Sequence, residues 1–207
     1  MEKTGMIFDG PADGPTVVLA HGAGAPMDSP FMNAVAAGLA AAGLRVARFE
    51  FPYMRRRREE GRRGAPDREP ALRAAWREVI GELGGGERLV IGGKSLGGRM
   101  ASLVADETGA RGLVCLGYPF HPPDRPDRLR TAHLQDLRTP TLIVQGTRDP
   151  LGTREEVAAY SLSPAIRILW LEDGDHSFKP RVSSGFKEKQ HLETAVAAVV
   201  GFVRGLE

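Results

Sequence analysis

The sequence predicts an α/β protein: a three-layer α/β/α sandwich on a mostly parallel sheet of six to seven strands. Two observations carry this. Short runs rich in valine, isoleucine and leucine alternate with longer stretches of helical spacing along the whole chain, the order that places helices on both faces of a parallel sheet. The runs are also continuously apolar, as strands covered on both faces are. With 207 residues, 42% of them hydrophobic and 26% charged, the chain is long enough to bury its own core and too apolar to stay disordered. One domain over 1–207 is expected.

The strand runs are Thr16–Ala20, Leu44–Phe49, Arg88–Ile91, Gly112–Leu116, Thr141–Gln145 and Ile166–Leu171, with Met6–Asp9 as a short, weakly supported edge strand. Helical spacing covers Phe31–Ala42, Glu69–Leu83, Leu96–Glu107 and Arg154–Ser161, and Phe186–Arg204 closes the chain. Gly43 and the run Gly84-Gly85-Gly86 stand where helices should stop, since glycine enters the left-handed conformation of a C-cap without steric cost.

Composition excludes several function classes. The 28 basic residues nearly balance 26 acidic ones, for a net charge of +2, so a general nucleic-acid or membrane-surface role is not indicated. Cys115 is the sole cysteine, which rules out an intrachain disulfide, and its apolar neighbours make it a buried strand residue. Met1–Gly5 lacks the apolar region of a secretory signal, and no apolar run approaches the roughly 20 residues of a membrane span. A cytoplasmic protein acting on a small molecule is expected, with no metal and no organic cofactor.

In parallel sheets ligands bind beyond the carboxyl ends of the strands, and there the chemistry gathers. Gly93-Lys94-Ser95-Leu96-Gly97 matches G-x-S-x-G, a sharp strand-to-helix turn that presents a serine at the top of a sheet. The bare pattern is common; its specificity comes from the strand Leu89-Val90-Ile91 before it and the helix from Met100 after it. Serine is a weak nucleophile at neutral pH and needs a general base, itself oriented by a carboxylate. Asp149 follows the fifth strand and His176 the last, giving the order Ser95, Asp149, His176. A tetrahedral oxyanion needs two backbone donors. The N–H of Leu96 supplies one, and Ala23, in the loop His21-Gly22-Ala23-Gly24, is preferred over Gly24 for the other.

With these residues in view the chain resembles a small member of the α/β-hydrolase superfamily. It is similar to the dienelactone-hydrolase-like proteins and to the hydrolase-like domain of subunit 3 of the eukaryotic NSL histone-acetyltransferase complex. The likeness runs from the His-Gly loop through Phe49-Glu50-Phe51-Pro52-Tyr53-Met54, Gly92 to Arg99, Gln145 to Asp149 and Asp173 to His176. It implies a minimal α/β-hydrolase fold and a triad of Ser95, Asp149 and His176. Dienelactone hydrolases carry cysteine in the elbow, so their specific activity is not transferred to Ser95. The segment from Tyr118 to Pro140 is too short for the helical cap of many relatives, which implies a shallow, open site.

Plainer roles compete for the same residues. Ser95 also suits a helix N-cap, and Asp149 a turn before Pro150, with Asp173 and Asp175 as reserve carboxylates. Of the other histidines, His21 is expected to brace its loop and His191 to sit at the surface or in packing, while His121 follows the fourth strand at the functional edge and is a candidate substrate contact. Lys94 is another such candidate, read as an exposed residue beside the nucleophile. Gly93-Lys94-Ser95 also resembles the end of a phosphate-binding loop, but the glycine required five positions earlier is Arg88. The run Arg55-Arg56-Arg57-Arg58-Glu59-Glu60 with Arg62 and Arg63 reads as a solvated face or mobile loop, although its position also fits an acidic substrate or partner. The resulting expectation is a serine hydrolase acting on an ester or related acyl bond. The alternatives are a non-catalytic binding or scaffold protein, since fold alone does not fix function, and an acyltransferase.

Overall fold

The computed structural model describes residues 5–61 and 64–206. Seven strands form one sheet, ordered β1 (Ile7–Asp9), β3 (Arg45–Phe49), β2 (Thr16–Ala20), β4 (Leu89–Lys94), β5 (Gly112–Leu116), β6 (Thr141–Gly146) and β7 (Ile166–Leu171). β1 runs antiparallel to β3 and every other pair is parallel. The weakly supported edge strand is thus present.

Alternation of side chains along β2 builds two apolar layers. Val17 and Leu19 pack with Met32, Val35 and Leu39 of α1 (Pro30–Ala41) and with Ala195 and Val199 of α6 (Glu188–Arg204). Val18 and Ala20 join the opposite layer. It is formed by Tyr53 and Met54 of α2 (Pro52–Glu60), Trp76 and Val79 of α3 (Glu69–Glu82), Met100 of α4 (Leu96–Ser102) and Val157 of α5 (Arg154–Val157). Trp76 is fully buried, edge-on to Phe49 with ring centroids 4.8 Å apart.

Several boundaries differ from the sequence reading. β4 continues past Ile91 to Lys94, because Gly92 and Gly93 still pair with Val114 and Cys115. α4 stops at Ser102 rather than Glu107: the Ser102 hydroxyl donates back to Arg99 O at 2.7 Å, and the chain tightens into turns such as Val104 N–H to Ala101 O, a habit of serine and threonine that competes with helix. α5 is four residues long, ending in turns of the same kind at Ala159 and Tyr160.

The largest correction is α2. The arginine run is a helix and not a mobile loop, with Arg56, Arg58, Glu59 and Glu60 on the solvated face that was expected: Pro52 opens it and Gly61 closes it at φ 65°. Its guanidiniums are tied down, Arg56 to Asp67, Arg57 to the carbonyls of Ala23 and Gly64, and Arg58 to Glu50 at 2.6 Å and Asp28 at 2.8 Å. Arg62 and Arg63 lie outside the described residues. β3 and β4 flank β2 on opposite sides, so the strand order reverses there and opens a crevice at the carboxyl ends of β2 and β4. Only a single short 3-10 turn, Ala132–Leu134, interrupts the segment from Tyr118 to Pro140, and no large cap covers the crevice.

Candidate active site

Ser95 links β4 to α4 with φ 49° and ψ −110°. A non-glycine residue there stores on the order of 1–3 kcal/mol of strain, which the surroundings must hold. Ser95 N–H donates to Leu116 O at 3.1 Å, and Arg99 N–H donates to Ser95 O at 2.9 Å. The flanking glycines are a steric requirement. A Cβ on Gly93 would stand 2.0 Å from Ala20 O, and one on Gly97 2.3 Å from the same atom.

A hydrogen-bonded chain leads inward from the serine. Ser95 Oγ lies 2.9 Å from His176 Nε2, and His176 Nδ1 lies 2.7 Å from Asp149 Oδ2. Three separate strand ends, those of β4, β6 and β7, therefore deliver the three groups to one point. Asp149 is fully buried; its other oxygen accepts from Leu151 N–H at 2.9 Å, and Oδ2 also accepts from Gln145 Nε2 at 2.9 Å. Gln145, also fully buried, in addition accepts from Tyr118 N–H at 2.7 Å and donates to Tyr118 O and Gly152 O at 3.2 Å. Sequence reasoning passed over Gln145; a glutamine ending an otherwise apolar strand, four residues before the carboxylate, was the available signal.

Ser95 and His176 open onto a pocket of about 330 Å³ whose wall includes Ala23, Phe31, Met32 and Lys94. Its inner edge is the His-Gly loop. His21 is buried and bonded on both nitrogens, Nε2 accepting from Phe51 N–H at 3.1 Å and Nδ1 donating to Gly22 O at 2.7 Å, so it is the neutral loop brace expected; burial also lowers its pKa. The Tyr53 hydroxyl is 3.1 Å from Ala23 O and 3.4 Å from Gly22 O. Tyr53 was not anticipated either.

Of the two candidate substrate contacts, Lys94 lies in the pocket wall and His121 does not. Lys94 lines the pocket but is not an exposed residue: its ammonium donates to His176 O at 2.6 Å and lies 5.6 Å and 5.9 Å from the ring centres of Phe31 and Phe178. Burial lowers its pKa to about 8 against the pull of Asp149 and Asp175. His121 is 2% exposed, bonds through Nδ1 to Pro122 O at 2.8 Å, faces Glu156 at 3.6 Å and is not part of the pocket wall. It ties down the loop after β5. The reserve carboxylates are engaged elsewhere, Asp173 with Arg148 and Arg181, and Asp175 with the amides of Ser177 and Lys179. His191 packs in the core with Nδ1 on Phe178 O, and His133, held to a pKa of about 4 by burial and by Arg99, bonds to Ser102. Among the described residues, no cluster of three or more His, Cys, Asp or Glu is placed to hold a metal ion, and no helix is long and apolar enough to cross a membrane.

Comparison with known proteins agrees with this fold. The fold matches Est1E from Butyrivibrio proteoclasticus (TM-score 0.71, 15% identity, covering 97% of this chain and 93% of that one). It also matches a dienelactone hydrolase from Anabaena variabilis (TM-score 0.72, 20% identity, 97% and 91%). A third match is an α/β serine hydrolase without a lid from Xanthomonas campestris (TM-score 0.63, 17% identity, 97% and 86%). A rat (Rattus norvegicus) protein provisionally named protein-lysine deacylase ABHD14B is 34% identical over 140 residues, 67% of this chain and 63% of the relative, so the match spans less than two thirds of that protein's length. The model of the alpha/beta hydrolase domain matches residues 13–204, and the chain belongs to the alpha/beta hydrolase family.

Proposed function

We propose that the protein is a serine hydrolase that cleaves an ester or related acyl bond of a small substrate through an acyl-enzyme on Ser95. The observation that carries this reading is the unbroken chain Ser95 Oγ, His176, Asp149, at 2.9 Å and 2.7 Å, opening onto a pocket. His176 takes the serine proton as Oγ attacks the acyl carbon, then returns it to the leaving group; Asp149 fixes the imidazole tautomer that presents a lone pair to the serine. Water repeats the cycle to release the acid.

The oxyanion is held by the amides of Leu96 and Ala23. Leu96 is the first residue of α4, where an N–H has no partner within the helix. Peptide geometry supports Ala23. Among the described residues there are no cis peptide bonds, and a trans peptide sets the carbonyl of one residue and the N–H of the next on opposite sides. Gly22 O is turned toward His21 and Tyr53, so Ala23 N–H faces away from them. Loss of one such donor costs about 3 kcal/mol of transition-state stabilisation.

A pocket of about 330 Å³ is at the low end for small-molecule sites and suits a short acyl group. The missing lid leaves room for a bulky leaving group, which fits a simple carboxylesterase or dienelactone-hydrolase-like enzyme. Amide cleavage at an acyl-lysine, the reaction in the rat relative's name, uses the same groups and is the second reading. A fluorophosphonate probe is expected to label the wild type and not Ser95→Ala, and a panel of esters, thioesters and acyl-lysine peptides separates the two readings. An unlabelled wild type that turns over none of them, yet holds a stable partner in both forms, would instead favour a non-catalytic binding or scaffold protein that keeps the fold.

A further inference from the structure

The residue immediately before the nucleophile is a lysine that the mechanism above leaves unused. Its ammonium reaches away from Ser95 to the main-chain carbonyl of His176, 82 positions along the chain, at 2.6 Å. The room for it is made by Gly117, at the end of β5. A Cβ there would stand 2.9 Å from both Lys94 Nζ and His176 O, and Gly117 itself has φ +70°. One side chain thus joins the carboxyl ends of β4 and β5 to the loop that carries the histidine.

We infer that Lys94 is a positioning residue, a charged latch that holds the His176 main chain against the nucleophile elbow and so keeps the imidazole in line with Ser95 Oγ. This rests on the serine-hydrolase reading. Ser95 is fixed within the elbow, whereas His176 sits in the segment between β7 and α6. Asp173 and Gly174 tie that segment to Thr147 and Arg148 after β6, and among the described residues the Lys94 bond is what ties the His176 backbone to β4. A charge-assisted bond is shorter and about twice as strong as a neutral one, which fits the 2.6 Å separation.

The latch is also sensitive to pH. Among the described residues, the charged groups acting on the ammonium are Asp149 after β6 and Asp175 after β7, its acceptor is the His176 main chain, and the uncharged Phe31 of α1 and Phe178 of the loop beyond His176 lie against it. Burial outweighs the two carboxylates and brings deprotonation down to about 8 from 10.5. Above that point the amine keeps a weaker, neutral bond. Activity then falls as pH rises through 8, while stability moves the other way: the unfolded chain binds the Lys94 proton more tightly than the folded one between about 8 and 10.5, so the fold gains stability across that window.

The test is the pH dependence of kcat and KM on a short aryl ester, from pH 5.5 to 10, for wild type, Lys94→Met and Lys94→Arg, with thermal melts of each. The wild type should lose kcat above pH 8 at nearly constant KM while its melts show it still folded. Lys94→Met should fold, with kcat at pH 7.5 down roughly ten- to hundredfold, the rate equivalent of one charge-assisted bond, an unchanged KM and no limb near 8. Lys94→Arg should recover part of kcat and show no limb below pH 10. A Lys94→Met enzyme with wild-type kcat and the same limb overturns the latch. So does an arginine variant that still bends near 8, or a wild type that keeps full kcat up to pH 10. If the methionine variant does not fold, the wild-type profile and the arginine variant decide. A wild type with no turnover and no fluorophosphonate labelling at any pH removes the hydrolase reading and the latch with it.

Discussion

Gln145→Met isolates the support beneath the carboxylate. Methionine nearly matches glutamine in volume, so the packing change is small and the loss is polar. Removing the amide orphans Tyr118 N–H and Gly152 O, which Gln145 holds at 2.7 Å and 3.2 Å, whereas Tyr118 O keeps Phe120 N–H at 3.1 Å. At about 1–3 kcal/mol for each buried group left unpaired, the fold should lose about 2–6 kcal/mol, a large share of the 5–15 kcal/mol typical of a domain. Urea unfolding should show the midpoint drop at constant slope. Asp149 also loses a bond of 2.9 Å and keeps only Leu151 and His176, so kcat should fall about tenfold or more with KM unchanged. A stability loss under about 1 kcal/mol together with wild-type kcat would refute the assignment of Gln145 as the anchor of the carboxylate.

Asp149→Asn keeps the shape but can present an N–H to His176 Nδ1, favouring the wrong tautomer; kcat on the ester should drop about 10⁴-fold with little change in melting. Gly97→Ala reverses the usual preference for alanine in a helix, because the new Cβ would stand 2.3 Å from Ala20 O and 2.8 Å from His21 O; the variant should melt several degrees lower and label more slowly with fluorophosphonate. Burial raises the pKa of the Cys115 thiol, which is 1% exposed, so iodoacetamide should leave the native protein unmodified and alkylate it in urea, and rapid native labelling would contradict the packing of β5.

The parts legible in the sequence are those whose cause is local. The elbow announces itself because strain at Ser95 and close approach at Gly93 and Gly97 demand particular residues within five positions, and buried parallel strands are legible as continuous apolar runs. α2 was not legible for the opposite reason. Only Tyr53 and Met54 of its nine residues are buried, so no helical apolar stripe exists, and the helix is held by arginine contacts to Asp28, Glu50, Gly64 and Asp67 that lie elsewhere in the sequence. Lys94 was misread because its acceptor is 82 positions away. His121 looked functional from its place after a strand, yet the direction of its ring, toward Pro122 O and Glu156, is settled by the fold.

The anchors share one design. Tyr53 and Arg57 grip the carbonyls of Gly22 and Ala23, Lys94 grips that of His176, and Gln145 grips both main-chain groups of Tyr118. Each is a side chain reaching across to the backbone of a different segment, so each fixes where a loop lies; Tyr53, Arg57 and Gln145 do so from outside the pocket wall, which Lys94 joins. Changes at these anchors should therefore lower kcat for every substrate by a similar factor. Changes at Met32, which lines the pocket and makes none of these backbone bonds, should redistribute kcat/KM among acyl chains. Tyr53→Phe and Met32→Ala, assayed on acetyl to octanoyl esters, separate the two: a uniform drop for the first and an altered chain-length profile for the second. A chain-length shift in Tyr53→Phe would mean that the His-Gly loop moves with the acyl group, and the division between backbone anchors and pocket wall would not hold.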